Sequence, residues 1–195
     1  IDHFTVANRK SHESEAVTCS GNVAKSALYK KNMRVVDLFC GLGGFSEGAR
    51  QAGHDVVLAV DSDERMLEIH RKNHAAANHV CATLPHEIPD ILIDENTHVH
   101  ASPPCQTLSQ ANRRASHEDR SHGIGLVEWY LEEYIKNARP VSWSMEQVAS
   151  PLVLDRLRSL VETDPLLYDY EIVTCSEFCI PQDRRRVVAG SPFLI

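Results

Sequence analysis

The sequence has no apolar run close to the roughly 20 residues that a membrane-spanning helix needs. Its 195 residues also contain no internal repeat, no low-complexity tract, no C-x-x-C pair and no recognisable secretory leader. The six cysteines are therefore expected to be reduced thiols in an intracellular protein, with cytoplasm and nucleus not distinguished. They are Cys19, Cys40, Cys81, Cys105, Cys175 and Cys179.

An excess of basic charge is also missing. Lys and Arg number 20 against 27 Asp and Glu, which gives a net charge of −7. Because phosphate binding draws its affinity from clustered Lys and Arg, we do not expect strong unaided binding to nucleic acid, although a local basic patch could still contact it. The composition, with 43% hydrophobic and 24% charged residues, is ordinary for one globular domain with a real core.

Metal-ligand spacing is absent as well. The pairs Cys175/Cys179 and His98/His100 lack further ligands at the intervals that metal sites use, so no metal site is predicted. The sequence begins with Ile1 rather than Met, a pattern expected of a fragment or a processed product.

Strand-like and helix-like segments alternate after a polar start. Residues 1–32 are polar and aperiodic, and we predict a partly ordered extension there, followed by one domain over 33–195. Strands are predicted at 34–40, 56–60, 99–101, 140–145, 170–175 and 186–189, and helices at 45–52, 63–73 (with Ser62 as N-cap), 125–137 and 151–161. This alternation predicts an α/β fold with a mostly parallel sheet and helices on both faces.

The stretch 107–123 is polar, with almost no apolar content. Loops of this length inside a compact domain are usually functional or disordered. We therefore predict a long loop here.

A glycine-rich turn at 41–44 follows the first predicted strand. Glycines at a strand-to-helix turn let a ligand lie against the backbone, and Asp61, ending the next strand, can accept from both hydroxyls of a ribose. The run is not G-x-G-x-x-G, so a single adenosyl group is favoured over a dinucleotide. The alternative is an ordinary glycine turn with a surface Asp.

The run Ser-Pro-Pro-Cys-Gln at 102–106 follows another predicted strand. Open α/β sheets place their ligands at the carboxyl ends of strands, and the two prolines fix the backbone before the thiol. Cys105 is accordingly a candidate nucleophile, with a buried structural cysteine as the alternative.

Two further runs carry charged side chains. Glu146, at a predicted strand end, could act as a proton donor, or it could simply be salt-bridged. Arg184 and Arg186 alternate into a strand and should share one face, which suits phosphate or base-edge contacts; a solvated basic patch is the alternative.

In this order and at roughly this spacing, the four runs resemble the S-adenosylmethionine-dependent cytosine C5 methyltransferases of DNA, from about residue 34 to residue 189. The resemblance implies a Rossmann-like methyltransferase fold and S-adenosylmethionine as cofactor. It implies cofactor-binding residues Asp37, Phe39, Gly41, Leu42, Gly43, Gly44, Asp61, Ser62 and Pro103. It implies catalytic residues Cys105, Glu146, Arg184 and Arg186, and substrate-binding residues Gln106, Ser109 and Gln182.

The resemblance also implies a mechanism on a cytosine flipped out of DNA. Cys105 would add to C6 of the base, Glu146 would hydrogen-bond or protonate N3, and Arg186 would hold O2. Gln182 and Arg184 would support the active-site loops, and 107–123 would be a mobile loop closing over the base.

Three departures from the family pattern are visible. Gln147 replaces an Asn, and no acid stands at 81–83, where the family has an Asp for the adenine amino group; Glu87 or Asp90 could substitute. The chain stops at Ile195, before the family's target-recognition region and its last two motifs. We therefore expect the catalytic portion only, with a second chain as a candidate supplier of target recognition.

Two other functions remain open from the sequence. One is a tRNA cytosine C5 methyltransferase, which shares the chemistry, and the other is an inactive fragment that binds cofactor or a partner. The sequence also does not distinguish a role in restriction-modification from epigenetic marking or viral self-protection.

Overall fold

The computed structural model describes residues 32–109, 112 and 114–195. The extension predicted at 1–32 therefore lies outside the described residues except for its last position. Within the described part, no helix is both long enough and apolar enough to cross a membrane.

A seven-stranded sheet forms the centre of the described chain, in the order β3-β2-β1-β4-β5-β7-β6. The strands are β1 Arg34–Leu38, β2 Asp55–Asp61, β3 Asn78–Cys81, β4 Thr97–Ala101, β5 Ser142–Val148, β6 Asp169–Thr174 and β7 Arg185–Gly190. The helices are α1 Gly44–Gln51, α2 Glu64–Asn73, α3 His117–Glu128, α4 Ile135–Ala138 and α5 Pro151–Thr163. A π-helical segment, Trp129–Tyr134, joins α3 to α4, and a 3₁₀ turn, Cys175–Phe178, follows β6.

Strand direction decides which residues share an edge of the sheet. β1 to β5 pair in parallel, whereas β7 is antiparallel to both β5 and β6. The carboxyl ends of β1 to β6 and the start of β7 therefore lie along one edge, which we call the carboxyl edge. Three runs lie there: the glycine turn at 41–44, the run 102–106 that contains Cys105 (the Cys105 run) and the run 182–186 that contains the two arginines (the arginine run).

Large aromatic side chains fill the core beneath the sheet. Trp143, Tyr130 and Tyr168 are all essentially buried. The Tyr130 hydroxyl lies 2.9 Å from the carbonyl of Val99, and the Tyr168 hydroxyl donates to the carbonyl of Leu131 at 2.7 Å. These bonds satisfy the polar ends of the buried rings.

The predicted α/β class with a mostly parallel sheet is confirmed, but the predictions for the N-cap of α2 and for a loop over 107–123 are wrong. α2 has Asp63, not Ser62, as its N-cap, because the Asp63 backbone is extended and its carboxylate accepts from the Arg65 amide at 2.9 Å. The loop predicted at 107–123 gives way to α3 at His117, where Ser116 and Asp119 form a capping box that offsets the low apolar content.

Strand limits also shift. β5 continues to Val148 rather than ending at 145, so Glu146 lies within the strand and not beyond it. β3 was not predicted, because only four residues form it and none of them is fully buried.

Candidate active site

The glycine turn leaves β1 through a series of left-handed backbone conformations. Phe39, Gly41 and Gly43 have φ of +57°, +52° and +96°. A Cβ on Gly43 would lie 2.9 Å from the His70 ring and 3.0 Å from the His74 ring, so this position requires glycine for both conformation and space.

The outer side of the same turn is open. Among the described residues, no atom beyond the adjoining backbone lies within 4 Å of where a Cβ on Gly41 or Gly44 would stand. An open cavity of about 710 Å³ borders Gly43 and Gly44, and the rest of its lining is the side chains of Leu42, Glu47, Arg50, Asn73 and His74. The backbone of the turn at Gly41 and Gly44 is thus accessible to a ligand.

Asp61, at the end of β2, braces this turn. Its Oδ2 accepts from the Gly41 amide and its Oδ1 accepts from the Asp63 amide, each at 2.9 Å. A carboxylate has about four acceptor sites, so two remain for a ligand hydroxyl. In the structure, Asp61 therefore holds the glycine turn next to the start of α2.

Asp37 lies beneath the turn rather than at its open side. Its side chain is buried and its Oδ2 accepts from the Ser46 hydroxyl at 2.7 Å, while Oδ1 has no hydrogen-bond partner among the described residues. Burial raises the pKa of Asp37 to about 7. Its position supports the turn from below.

The remaining predicted cofactor residues are spread along the edge. Phe39 packs edge-on against Trp129, with ring centroids 6.4 Å apart. Ser62 accepts a weak bond from the Cys81 thiol through its carbonyl at 3.6 Å. Pro103 is buried at the start of the Cys105 run.

The two acids predicted to substitute near the third strand both follow β3 in the chain. Glu87 accepts from the Thr83 amide at 2.8 Å, just after β3 ends. Asp90 is exposed further along the chain. The Glu87 carboxylate therefore lies close to the end of β3, and its substitution for the family's Asp stays a prediction.

The Cys105 run is anchored at its root. The Ser102 amide donates to the carbonyl of Leu38 at 3.1 Å, which ties the run to β1. The buried Gln147 amide donates to the carbonyl of Pro103 at 3.0 Å, which ties it to β5. Cys105 itself is a free, partly exposed thiol in a turn, with its carbonyl accepting from the Ser109 amide at 2.9 Å.

Glu146 meets both predicted arginines. Arg186 Nε lies 2.8 Å from Glu146 Oε1, and Arg184 Nη2 lies 3.6 Å from the same oxygen. The shorter contact is an ion pair without hydrogen-bond alignment. The arginines share a face, as their spacing predicts, and they hold the carboxyl group between them.

The three predicted substrate residues are near the surface. Gln106 is exposed, and its carbonyl accepts from the Asn112 side chain at 3.1 Å. Ser109 is partly buried, and Gln182 is exposed in the segment before β7. Their substrate contacts stay a prediction.

The thiols differ from the sequence expectation at one position. Cys40, Cys81, Cys105 and Cys175 are free, as expected. Cys179 is disulfide-bonded, so the prediction of a reduced thiol is wrong there. Cys19 lies outside the described residues.

A histidine cluster behind the glycine turn was not anticipated. His70 Nε2 lies 3.0 Å from the Ser46 hydroxyl, and His70 Nδ1 lies 2.9 Å from His79 Nε2. Within residues 32–109, 112 and 114–195, no three His, Cys, Asp or Glu side chains are arranged to hold a metal ion.

No anchoring role was predicted from the sequence for three buried polar residues, Ser46 in α1, His100 in β4 and Gln147 in β5. What marks these residues in the sequence is a polar side chain within an otherwise apolar strand or helix pattern. Nothing in the sequence identifies the partner that each one bonds.

Solved structures place the fold in a class. Spodoptera frugiperda DNMT2 matches 82% of this chain and 50% of its own length, with a TM-score of 0.55 and 18% identity. The Entamoeba histolytica methyltransferase EhMeth matches 84% of this chain and 54% of its own, with a TM-score of 0.57 and 19% identity. The fold is that of the Rossmann-like S-adenosylmethionine-dependent methyltransferases, as predicted.

The family follows from the sequence comparison. The family model for C-5 cytosine-specific DNA methylases matches residues 33–191, and the chain belongs to that family. The resemblance inferred from the four motifs is confirmed.

Curated relatives agree with this assignment. Type II methyltransferase M.AgeI of Thalassovita gelatinovora is 31% identical over 170 residues, which are 80% of this chain and 38% of the relative. Type II methyltransferase M.XorII of Xanthomonas oryzae is 28% identical over 172 residues, covering 78% of this chain and 39% of the relative. The chain thus spans about two-fifths of the length of these relatives.

Proposed function

We propose that this chain transfers a methyl group from S-adenosylmethionine to C5 of cytosine in DNA, with Cys105 as the covalent nucleophile. The observation that carries the proposal is the arrangement along the carboxyl edge. There the glycine turn, the anchored Cys105 run and the Glu146–arginine cluster follow one another on adjacent strands of a C-5 cytosine-specific DNA methylase fold.

The glycine turn suits the cofactor. The space beside Gly41 and Gly44 is open, and Asp61 keeps acceptor capacity next to it for the hydroxyls of a ribose. Glu87 offers a carboxylate beyond β3 for the adenine amino group. When bound there, S-adenosylmethionine supplies an electrophilic methyl group.

The Cys105 thiolate makes C5 reactive. It adds to C6 of the cytosine, and the electron pair of the C5–C6 double bond shifts toward N3, where Glu146 donates a proton or a hydrogen bond. C5 would then take the methyl group as its bond to the sulfonium sulfur breaks, leaving S-adenosylhomocysteine, and N3 would return any proton it took to Glu146. A base removes the C5 proton, the C5–C6 double bond re-forms, and the thiolate leaves.

Arg184 and Arg186 orient the carboxyl group for this role. Both guanidinium groups lie against the same oxygen of Glu146, which leaves the other oxygen for N3. Arg186 is the less exposed of the two, and its remaining donors suit the cytosine O2.

The substrate we propose is a cytosine flipped out of duplex DNA, because the ring must be reached from both the thiol and the methyl donor. The net charge of −7 is unfavourable for binding a polyanion. We therefore also propose that a second chain contributes target recognition, as the sequence analysis expected.

Tritiated methyl transfer tests the proposal. Duplex DNA rich in cytosine and bulk tRNA are offered separately to the wild-type chain and to Cys105→Ala, with Cys175→Ala as a control for loss of another free thiol. We expect label in DNA, and a loss of about 10³-fold or more only in Cys105→Ala.

Other results assign a different function. Label in tRNA but not in DNA would make the chain a tRNA methyltransferase. Binding of S-adenosylhomocysteine without any transfer, even with a complementing target-recognition chain added, would indicate a cofactor-binding fragment.

A further inference from the structure

A row of alternating serine and histidine side chains crosses β4 and β5 beneath the active site. The row is Ser142–His98–Ser144–His100–Ser102, with consecutive separations of 2.8, 2.9, 2.8 and 2.9 Å. β4 and β5 are parallel neighbours, and each histidine lies directly beside a serine in the register, His98 beside Ser142 and His100 beside Ser144. The strand geometry therefore builds the row.

Both imidazoles in the row are neutral. Burial lowers the pKa of His98 to about 4 and places the pKa of His100 well below its usual value. A neutral imidazole has one donor and one acceptor nitrogen, and each hydroxyl can do both. The row can thus be satisfied along its length, with every bond pointing the same way.

The row ends at the root of the nucleophile run. His100 Nε2 lies 2.9 Å from the Ser102 hydroxyl, and Ser102 is separated from Cys105 only by the two prolines. Prolines restrict the backbone, so a fixed Ser102 limits where the thiol can stand.

The same imidazole contacts the cofactor side of the site. The Phe45 ring stacks on His100 with centroids 3.5 Å apart and planes 7° apart. Phe45 is the second residue of α1, directly after the glycine turn. His100 is only 4% exposed, and the stack leaves it little freedom to turn.

We propose that His100 is a positioning residue that couples the glycine turn to the Cys105 run. This inference rests on the proposed function, because it assumes that the turn binds the cofactor. A ligand that closes on the turn fixes Phe45, Phe45 fixes the His100 ring, and the ring fixes Ser102. Cofactor binding thereby presents the thiol in its reactive position.

A purely structural row would satisfy polar groups without linking the two loops. The contacts favour coupling because His100 alone in the row touches both the helix that follows the turn and the residue that starts the run. His98 provides the matched comparison, since it belongs to the same row but bonds to Ser142 and Ser144 rather than to Ser102, and its ring centroid lies 6.1 Å from that of Phe45.

The test measures how fast Cys105 is alkylated by iodoacetamide, read by peptide mapping, with and without S-adenosylhomocysteine. The wild-type chain is compared with His100→Gln, Phe45→Leu and His98→Gln. Each is saturated with ligand according to its own Kd, and cooperative unfolding shows that each is folded. Phe45→Leu leaves the row intact, so the test stands even where His100→Gln does not fold.

We expect the ligand to raise the wild-type alkylation rate by about fivefold or more. The change should vanish in His100→Gln and Phe45→Leu while both still bind ligand, and it should persist in His98→Gln. An unchanged ligand effect in all variants would mean simple shielding and would overturn the coupling, as would equal loss in His98→Gln or no effect in the wild type. Absence of ligand binding to the wild type would instead overturn the proposed function and this inference with it.

Discussion

At the scale of single residues, the carboxyl group of Asp37 shows how the site and the stability of the fold are connected. It lies under the glycine turn with one oxygen bonded to Ser46 and the other without a partner among the described residues. Burial disfavours its charged form and raises its pKa from 3.8 to about 7. Between these two values the folded chain holds a proton that the unfolded chain has lost.

Asp37 therefore makes stability fall as pH rises. Its favourable contribution is complete below the unfolded pKa and is lost as pH passes through the folded pKa of about 7. Asp37→Asn should remove this pH dependence. In the wild type it lowers the free energy of unfolding by at most about 4 kcal/mol between pH 4 and pH 8.

Urea unfolding at several pH values measures the effect, with Asp90→Asn, at an exposed aspartate, as the control. We expect Asp37→Asn to gain stability relative to the control as pH rises. Parallel pH profiles for the two variants would contradict the assignment.

At the scale of elements, strand interiors were predictable because β-branched and apolar residues are typical of buried strands. The motif residues that follow β1, β2 and β4 were correctly placed for this reason. The start of α3 was not predictable from apolar periodicity, since the capping box of Ser116 and Asp119 supplies the signal instead. The short β3 has too few buried residues to give a pattern.

Gln147 gives the prediction that belongs to this scale, because it joins β5 to the nucleophile run. Gln147→Leu keeps the buried volume but leaves the carbonyl of Pro103 without its donor, at a cost of about 1–3 kcal/mol. Cys105 should then be alkylated faster, since the root of its run is released. Gln51→Leu, on the exposed face of α1, is the matched control.

Urea unfolding and the rate of Cys105 alkylation measure the two effects. A Gln147→Leu chain as stable as the control, with unchanged thiol reactivity, would show that the bond to Pro103 does not hold the run.

At the scale of the whole molecule, the site is a consequence of topology. Parallel strands bring the glycine turn, the thiol and Glu146 to one edge, and the antiparallel β7 returns Arg184 and Arg186 to the same edge. The residue types and their order were therefore enough to predict that these runs lie at one edge of the sheet. The bonds that fix them were not, because pairs such as Gln147 with Pro103 depend on which buried polar atoms meet after packing.

The central claim is that Cys105 forms a covalent bond to C6 of cytosine. DNA containing 5-fluoro-2′-deoxycytidine tests it directly, because fluorine at C5 cannot be removed as a proton and the adduct therefore persists after methyl transfer. The wild-type chain is incubated with this DNA and S-adenosylmethionine and is then digested and analysed by mass spectrometry. Cys105→Ser and Cys81→Ser, which changes an exposed free thiol, are treated in the same way.

The account predicts a DNA adduct on the peptide that contains Cys105, present in the wild type and in Cys81→Ser and absent in Cys105→Ser. An adduct on another cysteine, or methyl transfer to ordinary DNA without any adduct on the fluorinated DNA, would contradict it.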